Sequence, residues 1–186
     1  MKCVFFSKMC AISAAIFGVC ISFTVHADDC VMSVSQPVVD FGQTQRAQLL
    51  EGMREGQHLL VGARVVNINF NCAANAAMAL SFTGERVGVQ GYRFAEDGFF
   101  TLRVLSAQLD GKSVHMMVRD AEGAVSNSDN QLRPGVSLVP GSTGHLARGS
   151  TLNVQVEVKA FVTDRDTLAR SREQWEGSGQ LSIDTL

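Results

Sequence analysis

His58, His115 and His145 are the residues outside the N-terminal segment best suited to proton transfer near neutral pH. His115 falls on the outward side of an alternating stretch, and the other two lie in loop-like stretches. A general base works only within hydrogen-bond reach of the proton it takes, and no partner stands at a recognisable spacing. All three read as solvated surface residues. Asp164, Arg165 and Asp166 form a charge cluster that could hold a ligand, but such a run reads first as a solvated loop. There is no Gly-rich phosphate loop, no HExxH and no nucleophile elbow. Tyr92 and Trp175 could contact a ligand; the stronger reading has them plugging the ends of a sandwich. No catalytic residue, metal site or cofactor is expected, and an enzyme ranks last among the possible functions.

The cysteines carry a different chemistry. Cys3, Cys10 and Cys20 lie in an N-terminal segment that reads as a targeting signal. Lys2 and Lys8 precede an apolar run from Met9 to about Val25, and Val25-His26-Ala27 suits a signal peptidase. Residues 1–27 are therefore expected to be a removed signal peptide, leaving residues 28–186 as one domain. Cys30 and Cys72 are then the two thiols of an exported chain, and in an oxidising compartment they read as one disulfide. A metal or redox pair lacks both a CxxC and a nearby histidine. Closing the 42-residue span stabilises the fold by at most about 4 kcal/mol in the chain-entropy picture. With Lys2 and Lys8 gone, 14 basic residues face 18 acidic ones, a formal charge of −4. No basic patch accompanies this, which argues against nucleic acid as a partner.

The elements that must position these residues are strands. Leu152, Val154, Val156, Val158, Ala160 and Val162 alternate with Asn153, Gln155, Glu157 and Lys159. Side chains change face at every residue of a strand, so 152–162 has one apolar side that needs a second sheet to cover it. Arg64 to Cys72 alternates as cleanly, with Val66, Ile68, Phe70 and Cys72 inward and three asparagines outward. Ala76–Thr83, Phe99–Leu105, Ser113–Arg119 and Gly177–Leu186 follow the same pattern. Asp110-Gly111 is the best hairpin turn in the chain. Pro37 breaks the run Val31–Phe41. Residues 43–62 read as a loop with one short helical turn, 126–133 as a polar loop, and 134–140 as a short edge strand. About seven short strands between turns predict an all-β, immunoglobulin-like β-sandwich with one disulfide.

These residues resemble a family: the pilin-type subunits assembled by the bacterial chaperone–usher pathway. The resemblance is carried by Cys30-Val-Met-Ser-Val, by Val38-Val39-Asp40-Phe41-Gly42 and by the alternating strand ending in Cys72. Gly149 to Val162 resembles the penultimate strand, and the stretch after Gly177-Ser-Gly179 resembles the last one. The resemblance implies a sandwich lacking its final strand, with an apolar groove beside the C-terminal strand. Such a strip exposes backbone groups and apolar side chains that must be capped. It further implies a periplasmic chaperone as the first cap, an outer-membrane usher, and a neighbouring fimbrial subunit whose N-terminal extension replaces the chaperone by β-augmentation. The groove residues it points to are Leu181, Ile183 and Leu186, with core-facing Leu152, Val154, Val156 and Val158.

Two features depart from the family pattern. Only Asp28 and Asp29 separate the expected cleavage site from Cys30, too few and too acidic for a donor strand. The chain also ends in Thr185-Leu186, where family chains often carry an aromatic residue near the terminus. The expectation is a minor, tip-located fimbrial subunit, exported through the periplasm to the cell surface. It would accept a donor strand without giving one and contribute to cell adhesion, with a host receptor as a further partner. The alternative is a self-complete secreted or periplasmic β-sandwich that binds a surface ligand.

Overall fold

The structure is a computed structural model that describes residues 30–89, 91–142, 145–168 and 174–186. The expected signal peptide lies outside the described residues. In chain order the elements are β1 (Cys30–Val34), α1 (Arg46–Glu51), β2 (Arg54–Glu55), β3 (His58–Ala76), β4 (Met78–Gly84), β5 (Arg86–Val87), β6 (Gly91–Phe94), β7 (Gly98–Leu109) and β8 (Lys112–Ser113). There follow β9 (His115–Arg119), β10 (Val125–Asn127), β11 (Gln131–Leu132), β12 (Ser137–Ser142), β13 (His145–Leu146), β14 (Gly149–Thr163) and β15 (Gly179–Thr185).

Two sheets face each other across one core, as the alternating strands require. The first runs β1-β3-β14-β7-β6-β5, and the second runs β10-β9-β12-β4-β15. The strand pairings among the described residues are antiparallel, including β14 with both β3 and β7. Leu152, Val154, Val156, Val158, Ala160 and Val162 are each no more than 9% exposed, so the apolar side of β14 is the floor of the core. Val66, Ile68 and Phe70 of β3 lie beside them, and Leu80 and Leu138 come from the second sheet. The first of several changes of sheet takes one residue, Ala77, between the end of β3 and the start of β4.

The strands are longer than their sequence pattern, because bulges shift the alternation. Opposite β14, the register of β7 skips Leu105, between Val104 and Ser106. Phe100, Leu102 and Val104 point inward before that bulge, and Ala107 and Leu109 after it. A second irregularity, between Ala160 and Phe161, skips Val61 and carries β3 back to His58, within the expected loop. That loop does contain a helical turn. In α1, Gln45 and Gln48 form a reciprocal capping box, and Leu49 drops into the core.

Three other expectations are corrected. The strand expected at an edge, 134–140, is β12, which lies between β9 and β4 in the second sheet. Pro140 is tolerated there because β12 pairs with β4 only at Ser137 and Leu138. The stretch between Gly84 and Gly98, read only as turns, holds β5 and β6 and buries Tyr92. The polar stretch 126–133 includes Leu132, fully buried where β11 pairs with β7.

The β7–β8 hairpin is as expected. Leu109 pairs with Lys112 across Asp110 and Gly111, whose φ angles of 49° and 77° define a primed turn. Asp110 also reaches sideways to β14, where Oδ1 accepts the N–H of Ser150 at 3.0 Å and that of Thr151 at 2.8 Å.

Candidate functional site: the edge strands

A sheet ends where a strand has a neighbour on one side only. β15 pairs with β4 over its full length, Gly179 opposite Gly84 through Thr185 opposite Met78. On its other side it pairs with no strand among the described residues. β1 terminates the other sheet in the same way, pairing with β3 alone. An end strand presents backbone N–H and C=O groups that a further strand can use.

The side chains on these two strands differ from those of the interior. Leu181 and Ile183 face the core cluster but are only half-buried. Met32 lies directly opposite Phe70, so it points to the core side of β1, yet it is 39% exposed. Cys30 and Val34, on the same side of β1, are also incompletely covered. Leu186 is 37% exposed and is held by its N–H, which donates to Ala77 O at 2.8 Å. By contrast Leu152, Val154, Val156 and Val158 are sealed in the middle of the first sheet.

The expected groove set is thus divided. The β14 residues share the core cluster with Leu181 and Ile183 but form its floor, not an open edge. Met32 was not singled out from the sequence, although the alternation Cys30, Met32, Val34 marks it as the middle member of an inward face.

Cys30 and Cys72 form the disulfide. They stand directly opposite each other in the β1–β3 pair, with their Cα atoms 4.0 Å apart. The bridge ties an end strand, held by five residue pairs, to the long β3.

The other residues with chemical potential are placed as follows. Tyr92 is 1% exposed, and its hydroxyl donates to Phe82 O at 3.1 Å. Its ring packs edge-on to Phe82 at 4.7 Å and lies 5.5 Å from Phe100. Burial pushes the phenol up to about 12, against a smaller opposing effect of the Arg86 charge. Trp175 packs on the core with its indole N–H buried and unpartnered among the described residues. In the charge cluster, Asp166 is buried: Oδ1 accepts Asp97 N–H at 3.1 Å and Oδ2 accepts Thr163 N–H at 2.7 Å. It ties the end of β14 to the turn between β6 and β7. Arg165 pairs with Asp97 at 3.2 Å on the surface. His58 sits in β3 with its ring edge-on to Phe99 at 4.9 Å, while His115 and His145 are exposed on β9 and β13. No three His, Cys, Asp or Glu side chains among the described residues converge as a metal site.

Comparison with known proteins adds little. No family model matches the chain, and no curated protein matches it. Among solved structures, it is similar to the P pilus rod subunit PapA at 16% identity and a TM-score of 0.35. That similarity covers 83% of this chain and 99% of the other.

Proposed function

We propose that this chain is a structural subunit of a fimbria of the chaperone–usher kind, and that it accepts a partner strand along the open side of β15. The observation that carries the reading is the side of β15 that pairs with no strand among the described residues, with Leu181 and Ile183 only half-covered although they face the core. A strand laid there would extend the sheet along residues 180–184 and bury these side chains. The pilin-like sequence pattern and the disulfide at the start of the first strand agree with it. Met32 on β1 and Leu186 at the end of β15 extend the apolar set available to an incoming strand. The role is non-catalytic. The partners that follow are a periplasmic chaperone, an outer-membrane usher and a neighbouring subunit, on a route through the periplasm to the cell surface. A place at the fibre tip, with a part in adhesion, follows only if the signal is cleaved after Ala27.

Periplasmic expression of the chain alone and with a fimbrial chaperone tests this, with the intact mass of the soluble product. Solubility only in a complex, with a mass beginning at Asp28, is the expected result. Ile183→Arg should then abolish the complex by placing an unpaired charge against an apolar strand. A monomer that is stable alone and unfolds cooperatively would overturn the reading in favour of a self-complete sandwich.

A further inference from the structure

Outward-facing residues of the second sheet form a polar row set by strand register. Arg119 pairs with Ser137, Ser137 with Ser81, and Ser81 with Ser182. The core-facing neighbours Leu80 and Leu138 fix the direction, since alternate side chains change face. Ser81 and Ser182 share a hydrogen bond of 2.9 Å. Beside this row lies an open cavity of about 280 Å³, lined among others by Arg86, Arg119, Ser81, Ser137 and Asp184. Gly135, with φ of 85°, forms part of its rim, and a Cβ there would come 3.7 Å from Arg86 Nη2.

The two guanidinium groups on this wall, of Arg86 and Arg119, are in no ion pair among the described residues; the pairs formed there engage Arg93, Arg133, Lys159 and Arg165. Asp120 also lines the cavity, but its Oδ1 is committed to the Ala124 N–H at 2.7 Å. We propose that this cavity binds a small hydroxylated carboxylate about the size of one sugar ring, as in a uronic acid. A guanidinium offers a fork of N–H donors that matches a carboxylate, and two of them line the cavity. Asp184 can accept only from donors such as ligand hydroxyls, and the serine hydroxyls both donate and accept. Asp120 and Asp184 disfavour a dianion, while Arg86 and Arg119 offer a single carboxylate donors that a neutral sugar would not match. The volume lies near the lower end of the range for small-molecule pockets, roughly 300–1,000 Å³. The site draws on β4, β5, β9 and β12 and, through Asp184, on the outward face of β15.

The test is amide-resolved NMR titration of the exported chain, in its strand complex if that is the soluble form. The probes are glucuronate, glucose, alanine and inorganic phosphate. Glucuronate should shift Ser81, Ser137 and Arg119, with the other three at least about tenfold weaker. Arg119→Ala and the exposed Arg86→Ala should each weaken glucuronate about tenfold or more, with melting temperature unchanged for Arg86→Ala. No response to glucuronate would overturn the proposal. So would equal binding of glucose, alanine or phosphate, or unchanged glucuronate affinity in a folded Arg86→Ala variant.

Discussion

Two ionisable side chains, Tyr92 and Asp110, sit where folding shifts their titration, in opposite directions. Tyr92 is an acid whose folded pKa, about 12, lies above its unfolded value near 10. Its contribution is therefore complete below pH 10 and is lost as pH rises through 12, about 2–3 kcal/mol in all. Tyr92→Phe keeps the ring contacts but loses the bond to Phe82 O, for a cost of about 1 kcal/mol at neutral pH. The difference from wild type should shrink or reverse in denaturant melts between pH 10 and 12. Asp110 works at the other end of the scale. The N–H groups of Thr151 and then Ser150 hold its carboxyl below the usual range. Its contribution is present above the unfolded pKa, near 4, and is lost as pH falls through the lower folded value. Asn accepts the positive φ at this turn, so Asp110→Asn isolates the charge. The gap in melting temperature between the two proteins should be open at pH 7 and close below pH 4.

At the scale of elements, the bulges and sheet ends decide what a strand can do. Gly98 opens β7 where β6, β7 and β14 converge. A Cβ there would collide with Phe161 O and stand 2.6 Å from Phe94 O, both rigid backbone atoms. Gly98→Ala should therefore lower stability by about 1–3 kcal/mol, read from the urea midpoint at constant m-value. The same elements explain what the alternation reveals and what it hides. Leu152 to Ala160 keeps strict period two, and every one of its apolar positions is buried. In β7 the period slips at Leu105, so the pattern appears to stop there although the strand continues to Leu109. In β3, Val61 breaks the phase in the same way, and Leu59 and Leu60 look like scattered loop residues. A local bulge costs one residue of register, which is enough to exchange faces for everything beyond it.

For the whole molecule, the disulfide and the two sheet ends form one question of completeness. The bridge holds β1 to β3 at Cys30 and Cys72. Replacing both cysteines by serine should cost about 2–4 kcal/mol, measured by denaturant unfolding under non-reducing conditions. If the position beside β15 is filled by a partner strand, that loss should be smaller in the complex than in the free chain, because binding to the folded form stabilises it.

Residue types and their spacing determined the all-β class, the cysteine pairing and the inward face of the long strand. Each depends on neighbours in sequence or on a count of two. The position of each strand in its sheet was decided only by tertiary structure. Alternation tells which side of a strand is apolar, but not which strand lies beside it. Leu152 to Val158 and Leu181 to Ile183 read alike along the chain, yet β14 is flanked on both sides and sealed, whereas β15 has a strand on one side only among the described residues. Arg119, Ser137 and Ser81 are likewise scattered along the chain and meet only through register.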